Sequence, residues 1–584
     1  MLLHTRKRAL QSSGSSYVPS LASLLGYALE DIGVGFRAAL ESGGRDLELD
    51  YASGRQLSCQ VGGLVLESLE SHLRYMSSEV SFNTYTVRSH TCGELRSHHI
   101  GEKAKLCGWL AYRRLDRFLI LRDAYGLVQA RIPDTRKDLQ ELAAGTSYES
   151  VLAVEGTVES RGENSNPQMP TGAVEVETPT LFRATPGGAS EFIVPAPKPN
   201  NGLFYTLPQS PQQFKQLLMC AGLDRYYQIA RCYRNETSKQ DRQLEFTQVD
   251  IELSFTSQEY VMDLVENIIL QSWPESLVSY RPTAPFKRIT YAEAYDQYGV
   301  DKPDLRISWK IIDFPSKLPF MKLSYGDTAR CFVAKACRKF ITRKNKDEWK
   351  RLIEMNRLAQ RFTVMLLNDV GKWSSESQLQ QFLEKIGIDE NDAIVVAWGN
   401  HDGVQWTLGQ LIRLVAEAST LRSIERFDFV WITEFPLFLY NDEEKRYESA
   451  HHPFTAPVTS HESLLYDKEQ ISNIKAQHYD LVLNGVELGG GSIRVHDSEM
   501  QHHILRNILR ISTKEMEHLL QALSFGAPPH GGFALGLDRY IALLAGLGNP
   551  NKPIRDVIAF PKTKEGKDIM CGSPTAVPDE ELER

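Results

Sequence analysis

The most regular pattern of apolar and polar positions in the chain lies in residues 246–255. Apolar side chains occupy every second position there, namely Val249, Ile251, Leu253 and Phe255. The positions between them carry polar side chains, namely Gln248, Asp250, Glu252 and Ser254. Alternation with a period of two predicts a β-strand with one side in a hydrophobic core. The opposite side, with its two acids and an amide, has to face something other than that core.

A wholly polar tract, residues 235–243, separates this strand from an earlier strand-like run. Arg234 and Arg242 stand near the two ends of the tract, and Glu236 follows the first of them. A guanidinium makes planar, bidentate contacts with a phosphate and always keeps its charge. The pattern therefore predicts a hairpin whose loop can wrap a nucleotide. The alternative is an exposed charged hairpin without a ligand.

Elsewhere the pattern separates strand-rich from helix-rich parts of the chain. Residues 86–135 contain three strand-like runs with turns between them, which predicts a small β module. Residues 177–285 mix strands with one helical segment. Residues 310–425 change to Lys/Arg-rich stretches without recognisable chemistry, which indicates an inserted domain. Residues 430–584 return to strands and end with two helical stretches and a Pro-rich tail.

Composition narrows the class of protein. At 584 residues the chain is too long for one core, so three or four domains are expected. The absence of a run of about 18 apolar residues excludes a helical membrane span. A net charge of -8 argues against a bulk polyanion binder but permits a local basic surface. The 8 cysteines include no C-x-x-C pair, which favours a reducing compartment and gives no zinc signature.

The first 29 residues have a composition of their own. They contain no Asp or Glu, but they contain Arg6, Lys7, Arg8 and six serines. Such an acid-free, basic, serine-bearing start resembles an organelle transit peptide. A disordered tail is the alternative.

The predicted β module is locally basic and aromatic. Between Arg96 and Arg131 there are eight Lys/Arg and three Asp/Glu, with Trp109, Tyr112 and Phe118 interleaved. A small basic barrel with exposed aromatics often holds single-stranded nucleic acid, because bases stack on the rings and cations neutralise phosphates. The alternative is a barrel whose aromatic residues all belong to its core.

Further candidate chemistry lies in the last part of the chain. Asp480 and Glu487 are close together in a strand-like segment and offer hard oxygen ligands for Mg²⁺. Residues 489–491 are three glycines, which permit close approach to the backbone, although such a run is more often a turn or bulge. Arg539 falls in the first turn of a predicted helix, where a cation opposes the helix dipole, so a phosphate ligand explains it better than a structural role.

The adjacent His451 and His452 suit a pocket wall better than a metal site. No third ligand stands near them at metal spacing in the sequence.

Several long segments, taken in order, carry a family resemblance. They are TPTLFRATPGGASEF, LPQSPQQFKQLLM, RCYRNE with DRQLEFTQVDIE, HHPFTAP, NGVELGGGSIR, and GLDR followed by IRDVIAFPK. With these segments the chain resembles the bacterial-type aspartyl-tRNA synthetases of the class II aminoacyl-tRNA synthetase family, and among them the mitochondrial enzymes. The resemblance covers roughly residues 86–584.

The resemblance implies an α+β multidomain fold. It predicts an N-terminal OB-fold β-barrel that reads the anticodon, a class II antiparallel-sheet catalytic domain, and an inserted α/β domain. The expected units are 1–85, an N-terminal extension with a possible transit peptide; 86–176, the OB-fold domain; 177–290, the first part of the catalytic domain; 291–429, the inserted domain; and 430–584, its second part with the C-terminal tail. The hairpin after Arg234 is then the loop that folds over ATP and the acceptor end of the tRNA.

The resemblance also implies the activity. ATP activates L-aspartate to aspartyl-adenylate, and the aspartyl group passes to tRNA-Asp, with Mg²⁺ as the metal. Arg234, Glu236 and Arg539 are the expected catalytic residues, with Arg234 at the α-phosphate and Arg539 at the γ-phosphate. The expected ATP-binding residues are Arg234, Glu236, Gln243, Glu487, Gly536, Leu537, Asp538 and Arg539.

Other roles follow from the same resemblance. The expected aspartate-binding residues are Gln212, Lys215, Arg234, His451 and Arg494. Lys215 and Arg494 are expected to bind the side-chain carboxylate and to be left unpaired by the neutral amide of asparagine. Glu487 with Asp480 is expected to hold Mg²⁺. The expected anticodon-binding residues are Phe118, by stacking, and Gln129.

Three positions depart from the family pattern. Gly187 and Asn235 stand where the family usually has an acid. Val176 is followed directly by Glu177, where the family has an intervening segment that includes the helix of its first class motif. In the family that helix packs against its counterpart, so the homodimer expected for the family is expected to be weak here.

Alternatives of other classes remain at this point. An asparaginyl enzyme is disfavoured by the basic pair Lys215 and Arg494. A catalytically impaired tRNA-binding variant, or a splice isoform lacking the first-motif helix, is the second alternative. The expected location is the mitochondrial matrix, with the cytoplasm as the alternative, and the sequence does not decide whether tRNA-Asn is also charged.

Overall fold

The computed structural model describes residues 83–115, 117–159, 174–185, 190–197, 200, 202–315, 321–366 and 377–578. The predicted transit segment and Gly187 lie outside these residues. No helix within the described ranges is both long and apolar enough to cross a membrane.

An antiparallel sheet with one helix forms the N-terminal module. Its elements are β1 (Lys103–Arg114), β2 (Phe118–Asp123), β3 (Gly126–Arg131), α1 (Lys137–Gly145) and β4 (Val151–Thr157). The strands lie in the order β3-β2-β1-β4. The three strands predicted in this region are therefore confirmed. Leu119 and Leu121 are buried in the module, so Phe118 and Ile120 lie on the outer side of β2.

The remaining chain contributes three groups of elements. The first is β5 (Val174–Glu175), β6 (Ile193–Pro195), β7 (Phe204–Thr206), α2 (Gln212–Cys220), β8 (Arg225–Tyr233), β9 (Glu245–Ser254), α3 (Gln258–Gln271) and β10 (Lys287–Thr290). The second is α4 (Tyr291–Tyr298), β11 (Ile312–Asp313), β12 (Thr328–Ala334), α5 (Arg343–Glu354), β13 (Arg361–Leu366), α6 (Ser377–Ile386), β14 (Ala393–Gly399) and α7 (His401–Ala418). The third is β15 (Phe429–Thr433), β16 (Phe438–Asn441), β17 (Arg446–Ser449), β18 (His478–Leu483), β19 (Val486–Ile493), α8 (Ser498–His503), α9 (Glu517–Ser524), β20 (His530–Gly536) and α10 (Leu537–Ala545).

An eight-stranded sheet occupies the centre of the protein. Its strands lie in the order β10-β15-β18-β19-β20-β9-β8-β5. The outermost pairs, β10 with β15 and β5 with β8, are parallel, and the other neighbours are antiparallel. The expected mixed α+β architecture with a largely antiparallel central sheet is confirmed.

Helices α3 and α10 pack on one side of this sheet and enclose a large hydrophobic core. The alternation predicted for β9 is confirmed there, because Val249, Ile251 and Leu253 are buried in this core. Burial of each such side chain contributes about 1.5–3 kcal/mol. The polar side chains of β9 consequently face the opposite side of the sheet.

Phe255 differs from the prediction, since it does not continue the β9 pattern into the same core. Its φ of 56° ends the strand, and its ring packs edge-to-face on Trp109 with centroids 5.6 Å apart. Trp109 is only 2% exposed, so among the three aromatic residues noted in the basic module it belongs to the core. The alternative in which all aromatics are core is wrong, because Tyr112 is 65% exposed.

The inserted part is the connection between two neighbouring parallel strands, β10 and β15. It begins with α4, which starts at a capping box formed by Thr290 and Glu293 and ends at Gly299 in the left-handed conformation. Its own sheet has the order β11-β12-β14-β13 and is antiparallel throughout. The expected α/β class is therefore wrong: β12, α5 and β13 follow one another as in a parallel unit, but β14 lies between the two strands and runs opposite to both.

The junction at Val176–Glu177 continues the outer edge of the central sheet. β5 pairs with Tyr226 and Tyr227, and the Val176 N–H donates to the Tyr227 carbonyl at 3.3 Å. The Thr178 hydroxyl lies 2.9 Å from the Gln228 side-chain amide. Residues 174–178 therefore follow the edge of the central sheet, Phe182 bridges to Thr206 of β7, and residues 174–185 contain no helix.

Candidate active site

A cavity of about 920 Å³ lies on the polar side of β9. Its wall is formed by α2, the loop between β8 and β9, strands β9, β18, β19 and β20, and the start of α10. The structure brings most of the expected ATP, aspartate and metal residues into this wall, namely Gln212, Lys215, Arg234, Glu236, Gln243, His451, Asp480, Glu487, Arg494, Gly536, Asp538 and Arg539.

The polar side of β9 is a buried ion-pair network. Lys215 Nζ lies 2.9 Å from Asp250 Oδ1 and 3.0 Å from Glu252 Oε2. Arg494 donates from Nε to Glu252 Oε1 at 2.9 Å and from Nη2 to Glu252 Oε2 at 3.2 Å. The two acids of the strand are thus matched by two cations from α2 and the end of β19.

This network corrects one expectation. Lys215 and Arg494 do lie together, but both are already paired with carboxylates of the protein, so an incoming asparagine does not leave them unpaired. Burial alone would raise the pKa of Glu252, yet Arg494 and Lys215 outweigh burial and lower that pKa to about 2. Burial raises the pKa of Asp250 by more than Lys215 lowers it.

The two adjacent histidines point to different partners. His452 Nε2 lies 2.6 Å from Arg494 Nη1, while the His451 ring stacks on His478 with centroids 3.4 Å apart. Burial lowers the pKa of His451 and of His478 to about 3, and burial with the nearby Arg494 lowers the pKa of His452 well below its usual value. These imidazoles are therefore neutral at pH 7, and His452 can accept a hydrogen bond from Arg494.

A third metal-type ligand does stand beside the histidine pair, contrary to the sequence-based expectation. His451, His478 and Asp480 place ligand atoms within 4.8 Å of one another. His478 Nε2 also lies 2.9 Å from Asp480 Oδ1. Local sequence could not reveal this group, because His478 and Asp480 belong to β18, distant from His451 in the chain.

Arg234 has the features of an anion-binding residue. Its guanidinium is 5.1 Å from the Phe246 ring, and its Nε is buried without a hydrogen-bond partner among the described residues. Burial lowers its pKa. A buried guanidinium nitrogen without a partner costs free energy, which a ligand oxygen in the cavity can recover.

Arg539 joins three parts of the cavity wall. It donates from Nη1 to the Glu487 carbonyl at 2.9 Å and from Nε to the Asp241 carbonyl at 3.2 Å, and Nη2 lies 3.4 Å from the Asp241 carboxylate. These contacts give Arg539 a structural role as well, which the sequence argument had discounted. They offset the unfavourable position at the start of α10.

The remaining ATP-site candidates are tied to neighbouring segments. Glu236 pairs with Arg242 at 2.8 Å within the hairpin loop. Gln243 Oε1 accepts from the Lys562 N–H at 2.8 Å, and Asp538 Oδ2 accepts from the Thr247 N–H at 2.8 Å.

Leu537 was expected among the ATP-binding residues, but its side chain does not line the cavity. Its side chain is 3% exposed and belongs to the main core, so only its backbone can take part in ATP binding. The position opens α10, and the helix turns this side chain away from the cavity.

Asp480 and Glu487 lie on the neighbouring strands β18 and β19, which meet in an antiparallel hairpin. Burial and the charge of Glu487 raise the pKa of Asp480, whereas Lys302, 2.8 Å from Glu487, outweighs burial and lowers the pKa of Glu487. Carboxylate oxygens on two adjacent strands at the cavity wall are of the hard type that Mg²⁺ prefers as ligands. The expected metal residues therefore suit the ion by their chemistry.

The three glycines beside Glu487 are required by packing within the sheet. A Cβ at Gly489 would lie 2.2 Å from the Ala534 carbonyl oxygen, and one at Gly490 would lie 2.6 Å from Asp480 Oδ1. The glycine run predicted that another group lies close to its backbone. In the structure the groups that lie close are strand β20 and the Asp480 carboxylate.

Phe118 and Gln129 lie far from this cavity, on the N-terminal module. Ile120 pairs with Gln129 and with Tyr112, so these side chains share the outer face of the sheet with Phe118. Arg117 lies over the Phe118 ring at 5.1 Å. The face therefore combines half-buried or exposed aromatic rings with cations.

His452 lines the cavity, as the sequence analysis expected. Three groups in or near the cavity escaped sequence reasoning: the acids Asp250 and Glu252 as partners of the cations, His478, and Lys302. The alternation of β9 was a usable signal for the acids. Lys302 gave no signal, because it lies in the inserted part.

Comparison with known proteins gives consistent matches. The model of the family "tRNA synthetases class II (D, K and N)" matches residues 169–564. The mitochondrial aspartate–tRNA ligases of Mus musculus and Homo sapiens are each 39% identical to the chain, covering 88% and 89% of it and 92% and 93% of the relatives. The aspartate–tRNA(Asp/Asn) ligase of Oleidesulfovibrio alaskensis is 36% identical, covering 88% of this chain and 97% of the relative.

Proposed function

This chain belongs to the family of class II tRNA synthetases (D, K and N), and we propose that within it the chain is an aspartate–tRNA ligase. The identity with curated aspartate–tRNA ligases over most of both chains supports this function. These relatives do not favour the alternative of a tRNA-binding variant without catalysis.

The observation that carries the proposal is the arrangement of cations in one cavity. Arg234 and Arg539 stand at the hairpin end of the cavity, and Lys215 and Arg494 stand on the side of β9. ATP and aspartate both bring negative charge, so the reaction needs cations more than a protein nucleophile.

In the proposed reaction, a carboxylate oxygen of aspartate attacks the α-phosphorus of ATP and pyrophosphate leaves. A ribose hydroxyl at the 3′ end of tRNA-Asp then attacks the aspartyl carbonyl, and AMP leaves. Arg234 is proposed to bind the α-phosphate through its unpartnered Nε edge, and Arg539 the γ-phosphate. Mg²⁺, when bound, would neutralise phosphate charge.

Each remaining residue has a proposed task. Glu236, Gln243 and the backbone of residues 536–539 complete the ATP site, and Asp480 and Glu487 are the residues that would hold Mg²⁺. Lys215 and Arg494 bind the side-chain carboxylate of aspartate, while Gln212 and His451 complete its pocket. Glu252 fixes Arg494 in position beforehand, which lowers the cost of ordering it on binding.

The N-terminal module is proposed to be an OB-fold domain that binds the anticodon. The shared outer face of Tyr112, Phe118 and Gln129, with Arg117 beside it, supports stacking of unpaired bases.

The assembly and the location are further parts of the proposal. The mitochondrial names of two of the relatives support a place in the mitochondrial matrix. The homodimer expected for the family is proposed to be weak, because residues 174–185 contain no helix where the family has its first-motif helix.

The test is aspartate-dependent exchange of pyrophosphate into ATP. Aspartate should support exchange and asparagine should not. Exchange with asparagine alone would indicate an asparaginyl enzyme, and RNA binding without any exchange would indicate the non-catalytic alternative.

A further inference from the structure

Lys302 belongs to the inserted part of the chain, yet it contacts Glu487 in the wall of the cavity. Its Nζ is 2.8 Å from Glu487 Oε2 and 3.5 Å from Asp301 Oδ2. The Lys302 side chain is 33% exposed and that of Glu487 is 32% exposed, so solvent reaches the pair. A dissolved cation can therefore compete with this ammonium.

Hydrogen bonds fix the segment that carries Lys302 relative to Asp480 and Glu487, the two expected Mg²⁺ ligands. Asp304 binds the Arg306 guanidinium at 2.7 and 2.9 Å, and Arg306 donates from Nη1 to the Gly548 carbonyl at 3.0 Å. Asn484, in the turn between β18 and β19, donates from Nδ2 to the same carbonyl at 2.7 Å. One carbonyl thus anchors both the Lys302 segment and the hairpin of Asp480 and Glu487.

The hairpin turn also packs directly on this segment. Gly485 has a φ of +81°, and a Cβ on it would lie 3.1 Å from the Cβ of Asp304. The turn needs glycine for its conformation and for this approach. Lys302 therefore meets Glu487 through a fixed scaffold and not through a loose surface contact.

We propose that Lys302 is a positioning residue that holds the Glu487 carboxylate until a divalent cation enters with ATP and displaces it. The proposal rests on the proposed function, since it takes ATP and Mg²⁺ as ligands of the cavity. Without a counter-charge, Asp480 and Glu487 repel each other, and the ammonium compensates that repulsion. Asp301 offers the displaced ammonium another carboxylate. The inserted part thereby sets how much Mg²⁺ the active site requires.

The experiment is equilibrium binding of ATP, without aspartate, at stepped Mg²⁺ concentrations. The Mg²⁺ midpoint of Lys302→Met should fall roughly two- to tenfold, because a competing ion pair of ordinary strength is removed. Lys302→Arg, which keeps the charge, should stay close to the wild type. Lys310→Met is the matched control, because Lys310 is an exposed lysine of the same part of the chain, and it should change nothing.

An unchanged Mg²⁺ midpoint in Lys302→Met would overturn the inference. A higher midpoint would overturn it too, and would show that Lys302 itself binds phosphate. ATP binding by the wild type that needs no Mg²⁺ would also overturn it. Failure of the wild type to bind ATP at any Mg²⁺ concentration would instead contradict the proposed function. Lys302→Gln, measured in the same way, decides the matter if thermal melting shows that Lys302→Met is misfolded.

Discussion

Arg494 and Glu252 form a two-bonded ion pair, with Nε to Oε1 at 2.9 Å and Nη2 to Oε2 at 3.2 Å. The third guanidinium nitrogen, Nη1, lies 2.6 Å from His452 Nε2 and 2.7 Å from Ser492 Oγ. The guanidinium is thus oriented before any substrate arrives. Its exchangeable contacts are those to neutral groups, which a substrate carboxylate can replace.

Arg494→Leu is expected to remove the preference for aspartate over asparagine. The loss of a charge-assisted contact should cost roughly 2–4 kcal/mol in the ratio of exchange rates for the two amino acids. Melting should also show a destabilised protein, since buried Glu252 loses one of its two cationic partners and keeps only Lys215. Arg506→Leu, at an exposed arginine, is the control. An unchanged preference in folded Arg494→Leu would remove Arg494 from the aspartate site.

Arg234→Ala is expected to lower the rate of adenylate formation by roughly 10²–10³-fold, as for a donor aimed at developing phosphate charge. Pyrophosphate exchange measures this rate. Arg231→Ala provides a control three residues earlier, on β8, because Arg231 is half exposed and pairs with Glu245 outside the cavity. If both variants exchange at the wild-type rate, the hairpin is not the ATP site.

Phe118→Ala is expected to weaken aminoacylation of tRNA and to leave tRNA-independent exchange unchanged. Base stacking on one aromatic ring is worth about 1–3 kcal/mol, which would appear in the KM for tRNA. Leu142→Ala, at an exposed leucine of α1, tests for general effects on the module. Equal losses in both assays would show that Phe118 acts through the module's stability.

Acid is expected to destabilise the protein partly through His530. This residue is fully buried, its Nδ1 donates to the Pro528 carbonyl at 2.7 Å, and its Nε2 lies 3.3 Å from the Gln216 amide nitrogen. Burial outweighs the attraction of Glu252 and lowers the His530 pKa to about 4. Because this pKa is below the value of the unfolded chain, the folded state binds fewer protons between pH 6.5 and 4, and stability falls as pH falls.

The expected loss from His530 between pH 7 and 5 is about 2 kcal/mol of unfolding free energy. Urea unfolding of the wild type and of His530→Gln at the two pH values measures it. Other buried histidines add to the fall in both proteins, so the difference between the two slopes is the quantity to compare. Equal slopes would mean that His530 titrates alike in the folded and unfolded chains.

Insertion of a segment with the family's first-motif helix at the Val176–Glu177 junction is expected to strengthen dimerisation. Obligate dimer interfaces commonly bury about 2,000 Å² or more, largely apolar, and loss of a main helix removes much of such a surface. Analytical ultracentrifugation of both forms, together with exchange activity, tests this. A stable and fully active dimer from the present chain would show that the helix is dispensable.

The strand pattern predicted the central elements well, because the physics of a half-buried strand is local. Val249 and Asp250 reveal their opposite sides by alternation alone. The same pattern could not identify the partners of the two acids, since Lys215 comes from helix α2 and Arg494 directly follows strand β19. The acids meet these cations because of the order in which the strands lie in the central sheet, which the alternation of one strand does not reveal.

Trp109 and Lys302 illustrate what local sequence cannot carry. The residues around Trp109 in the sequence have the composition of an RNA-binding surface. In the structure Trp109 is buried and packs against Phe255, which follows a strand of the central sheet. Lys302 lies among residues without recognisable chemistry, and its segment meets Glu487 through the Gly548 carbonyl and the packing of the Gly485 turn on Asp304. Contacts between distant parts of the chain, and not local sequence, determine both the burial of Trp109 and the position of Lys302 beside Glu487.

The ion pair between Glu252 and Arg494 joins residues 242 positions apart, and this separation bears on biosynthesis. On a ribosome, β9 emerges with Lys215 already made, but Arg494 and strand β20 follow only after the whole inserted part has been translated. Until then Glu252 lacks its main cation and one edge of β9 has no neighbour, so the nascent first half of the central sheet cannot be stable by itself. The inserted part has a four-stranded sheet and a hydrophobic core of its own, so it can begin to fold before the central sheet is complete.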